Sequence, residues 1–286
     1  MNPPSVRFHR PDPRLQPYLT AYYYLEFPPG EPVEDLLMPE WSGIRFALRG
    51  EWSAVVGGET IRLPVSLFGH SSETGLIRCE TPGLGLGVGI LPLGWTQLIG
   101  LPPADYVNRA VDAEGMFGPS VVHLFERLKA TEGDAARNAL CDAYFLERLA
   151  QRPEPGPQVV KAHQVINDPR IGTTDEFAAA LGVSVRQATR LSMRTFGFPP
   201  KLLLRRARFL RTLGAIRDNL NTPWADQLDP WYYDQSHFVR DFHDFMGLSP
   251  TAYFSSRGVM LRAAGQARAR ELGQSLQGLH PAEASK

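Results

Sequence analysis

The amino-acid sequence predicts an α+β protein: a small N-terminal antiparallel β-barrel with helices, then an all-α C-terminal domain carrying two helix–turn–helix units. Three observations predict it. Between Ile44 and about Leu91, short apolar runs alternate with Gly, Pro and Ser turns, the rhythm of antiparallel strands. Beyond Gln158 the apolar spacing becomes helical, with readable starts and stops. Two segments there end alike, at Phe196-Gly197-Phe198-Pro199-Pro200 and at Met246-Gly247-Leu248-Ser249-Pro250.

The chain opens with Pro-rich sequence expected to be irregular, followed by the aromatic, strand-like run from Tyr18 to Phe27. The expected strands then are Ile44–Leu48, Trp52–Val56, Thr60–Leu63, Val65–Phe68, Leu76–Cys79 and Leu84–Ile90. Within the last, Gly83-Leu-Gly-Leu-Gly-Val-Gly89 suggests a phosphate loop, but Val88 stands where a dinucleotide fingerprint needs glycine and no βαβ unit surrounds it. Strict alternation instead puts these glycines on one strand face, so that another group, in packing more often than as ligand, can approach the backbone. After Pro92 the pattern turns helical, with helices expected at Leu93–Leu98, Ser120–Ala130 and Asp134–Ala150.

Residues 151–158 hold three prolines and a glycine, a stiff linker. The linker separates a sensory or dimerisation domain at 1–150 from a helical domain at 159–262, with a weakly ordered tail at 263–286. Helices are expected at Gln158–Asn167, from a Thr174 cap to Leu181-Gly182, and from a Ser184 cap to Phe196. Pro200 then starts a long basic helix running to Asp218. Leu203, Ala207, Leu210 and Leu213 mark its buried face, and Arg205, Arg208, Arg211 and Arg217 its outer one.

The zero net charge is uneven along the chain. Residues 1–157 carry 13 Lys+Arg against 19 Asp+Glu, and residues 158–262 carry 14 against 9. An acidic module joined to a basic one suits DNA binding. No apolar stretch approaches the roughly 18 residues of a membrane span, and the N-terminus lacks the apolar run of a secretory signal. With Cys79 and Cys141 as its only cysteines, the chain reads as a cytoplasmic protein with reduced thiols. Neither a metal-ligand cluster, a nucleophile elbow nor a Walker loop is present, so neither an enzyme nor a cofactor is expected.

A helix–turn–helix reads duplex DNA when its second helix offers long hydrogen-bonding side chains to the major groove over an apolar inner face. On Ser184–Thr195 the inner face is Val185, Ala188 and Leu191, leaving Arg186, Gln187, Thr189, Arg190 and Arg194 as base-contact candidates. On the second unit Phe238 and Phe242 point inward, leaving Gln235, Ser236, His237 and Arg240. Exposed arginines on one helix are more often plain surface than readers. Two units with matching exits, joined by a basic helix, outweigh that alternative.

These motifs resemble the AraC/XylS family of bacterial transcription regulators. The likeness rests on Phe177-Ala-x-x-Leu-Gly-Val-Ser184 and Arg190-Leu-x-x-x-Phe196-Gly197-x-x-Pro200, then on Tyr232-Tyr-Asp-Gln-Ser-His-Phe-Val-Arg-Asp-Phe242 and Gly247-Leu-Ser-Pro-x-x-Tyr253. It implies two recognition helices in successive major-groove segments, activation or repression of transcription, and RNA polymerase as a partner. One departure stands out: Pro230-Trp231 replaces the apolar–Gly turn that family members place before the second recognition helix. Gly87–Pro102 and Met38-Pro-Glu-Trp41 are similar, more faintly, to the sensory half of one subgroup. That likeness implies an unidentified small-molecule effector or a homodimer contact, with Trp41, Arg45, Trp52 and His70 as candidate cavity residues. Two rival readings are a small-molecule-binding barrel and an interaction adaptor whose helix–turn–helix units do not read DNA.

Overall fold

In the computed structural model, which describes residues 4–219, 221–255 and 259–273 (side chains of 259–263 excepted), the N-terminal half is one eight-stranded antiparallel sheet. The strands are β1 (Ser5–His9), β2 (Leu19–Phe27), β3 (Val33–Leu37), β4 (Gly43–Val56), β5 (Glu59–Ile61), β6 (Val65–Phe68), β7 (Gly75–Ile90) and β8 (Ala110–Asp112). Their order is β1-β2-β7-β4-β6-β8, with β3 on β7 and β5 on β4. The α+β class holds, but the barrel stays open, because β1 and β8, at the two ends of the sheet, do not pair with each other among the described residues.

Two pairs of expected strands are single long ones. Ile44–Leu48 joins Trp52–Val56 in β4, and Leu76–Cys79 joins Leu84–Ile90 in β7. Their pairing shifts register between Ala47 and Glu51, where Gly50 takes a positive φ of 80°. Such bulges bend and twist a strand without ending it, so the turn residues that suggested breaks mark bends. The opening residues are not wholly irregular, since Ser5–His9 forms β1 against β2.

Alternation assigns the two faces of the sheet. Tyr22, Tyr24, Ile44, Phe46, Leu86 and Val88 pack in the main core with α3 (Pro119–Ala130) and α4 (Asp134–Ala150), which follow α1 (Pro92–Gly94, extended by a wider turn at Trp95–Ile99) and α2 (Glu114–Phe117). The Tyr22 hydroxyl donates to Asp142 at 2.8 Å and the Tyr24 hydroxyl to Asn138 at 2.8 Å, so neither ring buries an unsatisfied oxygen. The opposite face carries the glycine stripe. A Cβ at Gly87 would overlap the Tyr23 ring, and one at Gly85 would press on Trp52 at 3.1 Å. The stripe makes room for the Tyr23 and Trp52 rings beside the strand.

The C-terminal half is helical: α5 (Pro157–Ile166), α6 (Thr174–Leu181), α7 (Val185–Phe196), α8 (Pro200–Asp218), α9 (Gln235–Met246) and α10 (Pro250–Ser255). The cap of α6 lies one residue before the expected Thr174. Thr173 accepts from the Glu176 amide and Glu176 returns the bond, a reciprocal capping box. The tail is corrected in part: Val259–Leu272 forms α11, which packs on β1 and β3, while 274–286 lie outside the described residues.

Candidate nucleic-acid interface

Two helix–turn–helix units are built differently around α8. In the first, α6 ends at Gly182 in the left-handed region (φ 72°) and α7 starts at Ser184. Ser184 accepts from the Gln187 amide while Gln187 Oε1 accepts from the Ser184 amide at 2.9 Å. Phe177, Leu181, Ala188, Leu191 and Phe196 fill the core beneath. Of the sequence candidates on α7, Arg186, Arg190 and Arg194 are exposed and lie one helical turn apart in succession, the spacing that keeps side chains on one helix face. Gln187 is exposed too, but its carbonyl oxygen is committed to the cap. The Thr189 hydroxyl donates back to the Val185 carbonyl at 2.9 Å.

In the second unit the supporting helix shrinks to one 3-10 turn, Trp224–Gln227. A proline at position 230 fits that shortening, since its ring and missing N–H prevent a longer helix. Asp234 caps α9 by accepting from the His237 amide at 2.7 Å. Gln235, Ser236 and Arg240 are exposed. His237 is drawn back instead: its Nε2 accepts from Arg208 at 3.1 Å and its ring meets the edge of Tyr232. Desolvation and the nearby Arg208 charge lower its pKa, favouring the neutral ring that such a bond requires.

The outer face expected on α8 is corrected. Arg205 pairs with Asp241 at 2.7 Å and with Asp244, Arg208 with Asp241 at 2.9 Å, and Arg211 with Asp229 at 2.7 Å. Arg217 is partly buried against α11, where a Cβ at Gly265 would overlap its guanidinium. Asp241, buried with 2% of its side chain exposed, also accepts from the Tyr232 hydroxyl at 3.0 Å. Arg205, Arg208 and Arg211 hold the second unit to α8 rather than facing solvent.

Arg206 was not anticipated. Its guanidinium, 1% exposed, donates to the carbonyls of Ser71 and Pro39, both at 2.8 Å, and stacks on Trp41 at 4.1 Å. Burial without a carboxylate partner pulls its pKa down to about 9. Its position gives the available signal: it lies three residues after Leu203 and four before Leu210, on the apolar stripe.

The four N-terminal candidates divide into two places. Arg45 and Trp52 border an open cavity with Tyr23, Phe68 and Ile77. There the Arg45 Nε donates to the Tyr23 hydroxyl at 3.1 Å and its guanidinium stacks on Phe68 at 4.1 Å. Its buried Nη1 has no partner among the described residues. Trp41 and His70 instead build the seam between the sheet and the first unit, although Trp41 also touches a second hollow. His70 Nδ1 donates to the Phe196 carbonyl at 2.8 Å, and its ring meets Trp41 and Trp95, each at 5.3 Å. Burial lowers its pKa to about 3.

Residues 177–256 match the family model of a helix-turn-helix domain. No curated protein sequence matches the chain. Among solved structures, the chain is similar to an apo ToxT variant from Vibrio cholerae strain SCE256 at 8% identity, covering 81% of this chain and 96% of that one, with a TM-score of 0.46. Wild-type ToxT of the same strain with a bound unsaturated fatty acid is 9% identical, over 79% and 96% of the two chains, at a TM-score of 0.42. The AraC-like transcriptional activator CuxR is 12% identical, over 72% and 84%, at 0.31. Scores this low define neither a shared fold nor a shared function. Among the described residues, no group of His, Cys, Asp or Glu could hold a metal ion, and no helix is long and apolar enough to cross a membrane.

Proposed function

We propose that this chain is a DNA-binding transcription regulator of the AraC/XylS type, with a sheet domain at 1–150 that modulates a helical reader at 159–262. The observation that carries the reading is the row Arg186, Arg190 and Arg194. These three exposed arginines occupy one face of a helix that is capped at its start and seated on a full apolar core. A guanidinium suits bidentate contact to guanine O6 and N7, and the first turns of a recognition helix are where such contacts are made. The sheet domain meets this helix near its C-terminal end, around Phe196 and Gly197, while Arg186 and Arg190 in its first turns stay exposed.

The second unit contributes a smaller set, Gln235, Ser236 and Arg240, since His237 is held by Arg208. The cavity beside Arg45 and Trp52 supports a small-molecule effector at the sheet domain. The test is selection from a random duplex pool at fixed salt, with wild type, Arg190→Ala and Arg240→Ala. Two enriched half-sites are expected, each relaxed by one variant, with losses of roughly 10- to 100-fold at the base concerned. Weak binding that only falls with salt and enriches no sequence would refute base reading.

A further inference from the structure

Each helix–turn–helix unit packs on α8, and one side chain also joins the two directly. Trp231 lies in the turn before α9, and its Nε1 donates to the carbonyl of Pro169, in the loop leading into α6, at 2.9 Å. Its indole covers Gly172 so closely that a Cβ there would overlap the ring. Only glycine fits beneath it. The turn itself is fastened: the Trp231 amide donates to Asp229 Oδ1 at 3.0 Å, Arg211 holds Asp229 Oδ2 at 2.7 Å, and Arg208 donates to the Trp231 carbonyl at 3.2 Å. The indole is thus clamped from α8 on one side and seated on the first unit on the other.

We infer that Trp231 is a positioning residue that fixes the distance and rotation between the two recognition helices, and so selects the spacing between half-sites. The inference rests on the bipartite reading proposed above. Each added base pair moves a half-site by about 3.4 Å along the axis and turns it by roughly 35°, since about 10 base pairs complete a turn. Two heads held rigidly cannot follow that displacement without giving up base contacts. Two heads joined through α8 alone have more freedom to do so. The Pro230-Trp231 turn thus acts as a brace between the heads.

The experiment measures binding of the full-length chain to duplexes carrying both selected half-sites, with the spacer one base pair shorter, unchanged or one longer. Wild type is expected to lose roughly tenfold or more in affinity at either altered spacer. Trp231→Ala should bind all three within about threefold, while its affinity for each isolated half-site stays at the wild-type value. Gly172→Ala, which displaces the ring without removing it, should reproduce that profile, and Trp231→Phe should restore part of the discrimination. Thermal melts confirm that each variant is folded. A wild-type spacing profile in both Trp231→Ala and Gly172→Ala would overturn the inference and leave the bipartite reading standing. A wild-type protein that selects a single half-site, or none, overturns both.

Discussion

The two helix–turn–helix units share an exit pattern but are stabilised by different physics. The first is held by apolar contact and by reciprocal caps at both of its helices, Thr173 with Glu176 and Ser184 with Gln187. The second has no full supporting helix. Its aromatic core of Phe209, Phe238, Phe242 and Phe245 is joined by a buried ionic knot in which Asp241 serves Arg205, Arg208 and Tyr232. Loss of one helix has been offset by charge pairs across the joint with α8. The lesson is that a shortened motif keeps its geometry only if something else supplies the missing rigidity, and here that is Asp241, Asp229 and Trp231.

The comparison is most easily broken at Asp241. Asp241→Ala leaves Arg205 and Arg208 without their shared acid, and removing one partner of a buried pair costs about 3–5 kcal/mol. Denaturant unfolding of the full chain should show that loss, with hydrogen exchange concentrated in α9 and leaving α7 protected. Equal loosening of α7 and α9 would mean the units are not distinct in this way.

A second prediction sharpens the difference through pH. The tie between the sheet and the first unit uses a neutral His70, whose buried surroundings also include the Arg206 charge that opposes its protonation. Its pKa of about 3 in the folded protein lies below the ordinary 6.5, so the unfolded chain binds its proton first as pH falls. The associated stability is whole above pH 6.5 and declines below it, by about 2 kcal/mol on reaching pH 5. His70→Gln should flatten that part of the stability profile relative to wild type. Matching slopes for the two proteins between pH 6.5 and 5 would remove His70 as the cause.

The smallest expected effects are at the helix starts. Ser184→Ala and Asp234→Ala should each cost about 1 kcal/mol in denaturant unfolding. Ser184→Ala should also fray the turn that presents Arg186, read as faster exchange of the Gln187 amide. A loss much beyond that at either cap would point to a role other than capping.

Much of the helical half was legible because caps and exits are local signals. Ser184, Gly182, Gly197 and Gly247 announce themselves within a few residues of what they terminate. The arginines of α8 were not legible, because their partners lie 18 to 39 residues further along the chain and helical periodicity does not register them. Arg206 was hidden by its charge, although its spacing placed it on the buried stripe. In the sheet, turn-rich stretches such as Leu48–Trp52 resembled strand ends, whereas Gly50 only bends β4. Tyr23 escaped notice as a cavity residue because the glycine that makes room for its ring lies 64 positions away, at Gly87.

The last helix has a consequence for how the molecule can be taken apart. α11 returns to the first strand, where the Arg268 guanidinium sits over Phe8 and Arg10 donates to the Glu271 carbonyl at 2.8 Å. Cutting at the proline-rich segment therefore does not release two self-sufficient pieces. A fragment ending near residue 150 lacks the helix that covers its own first strand, and the complementary fragment carries that helix without the strand it covers. Any exchange of N-terminal halves between such chains would have to carry both ends of the polypeptide together.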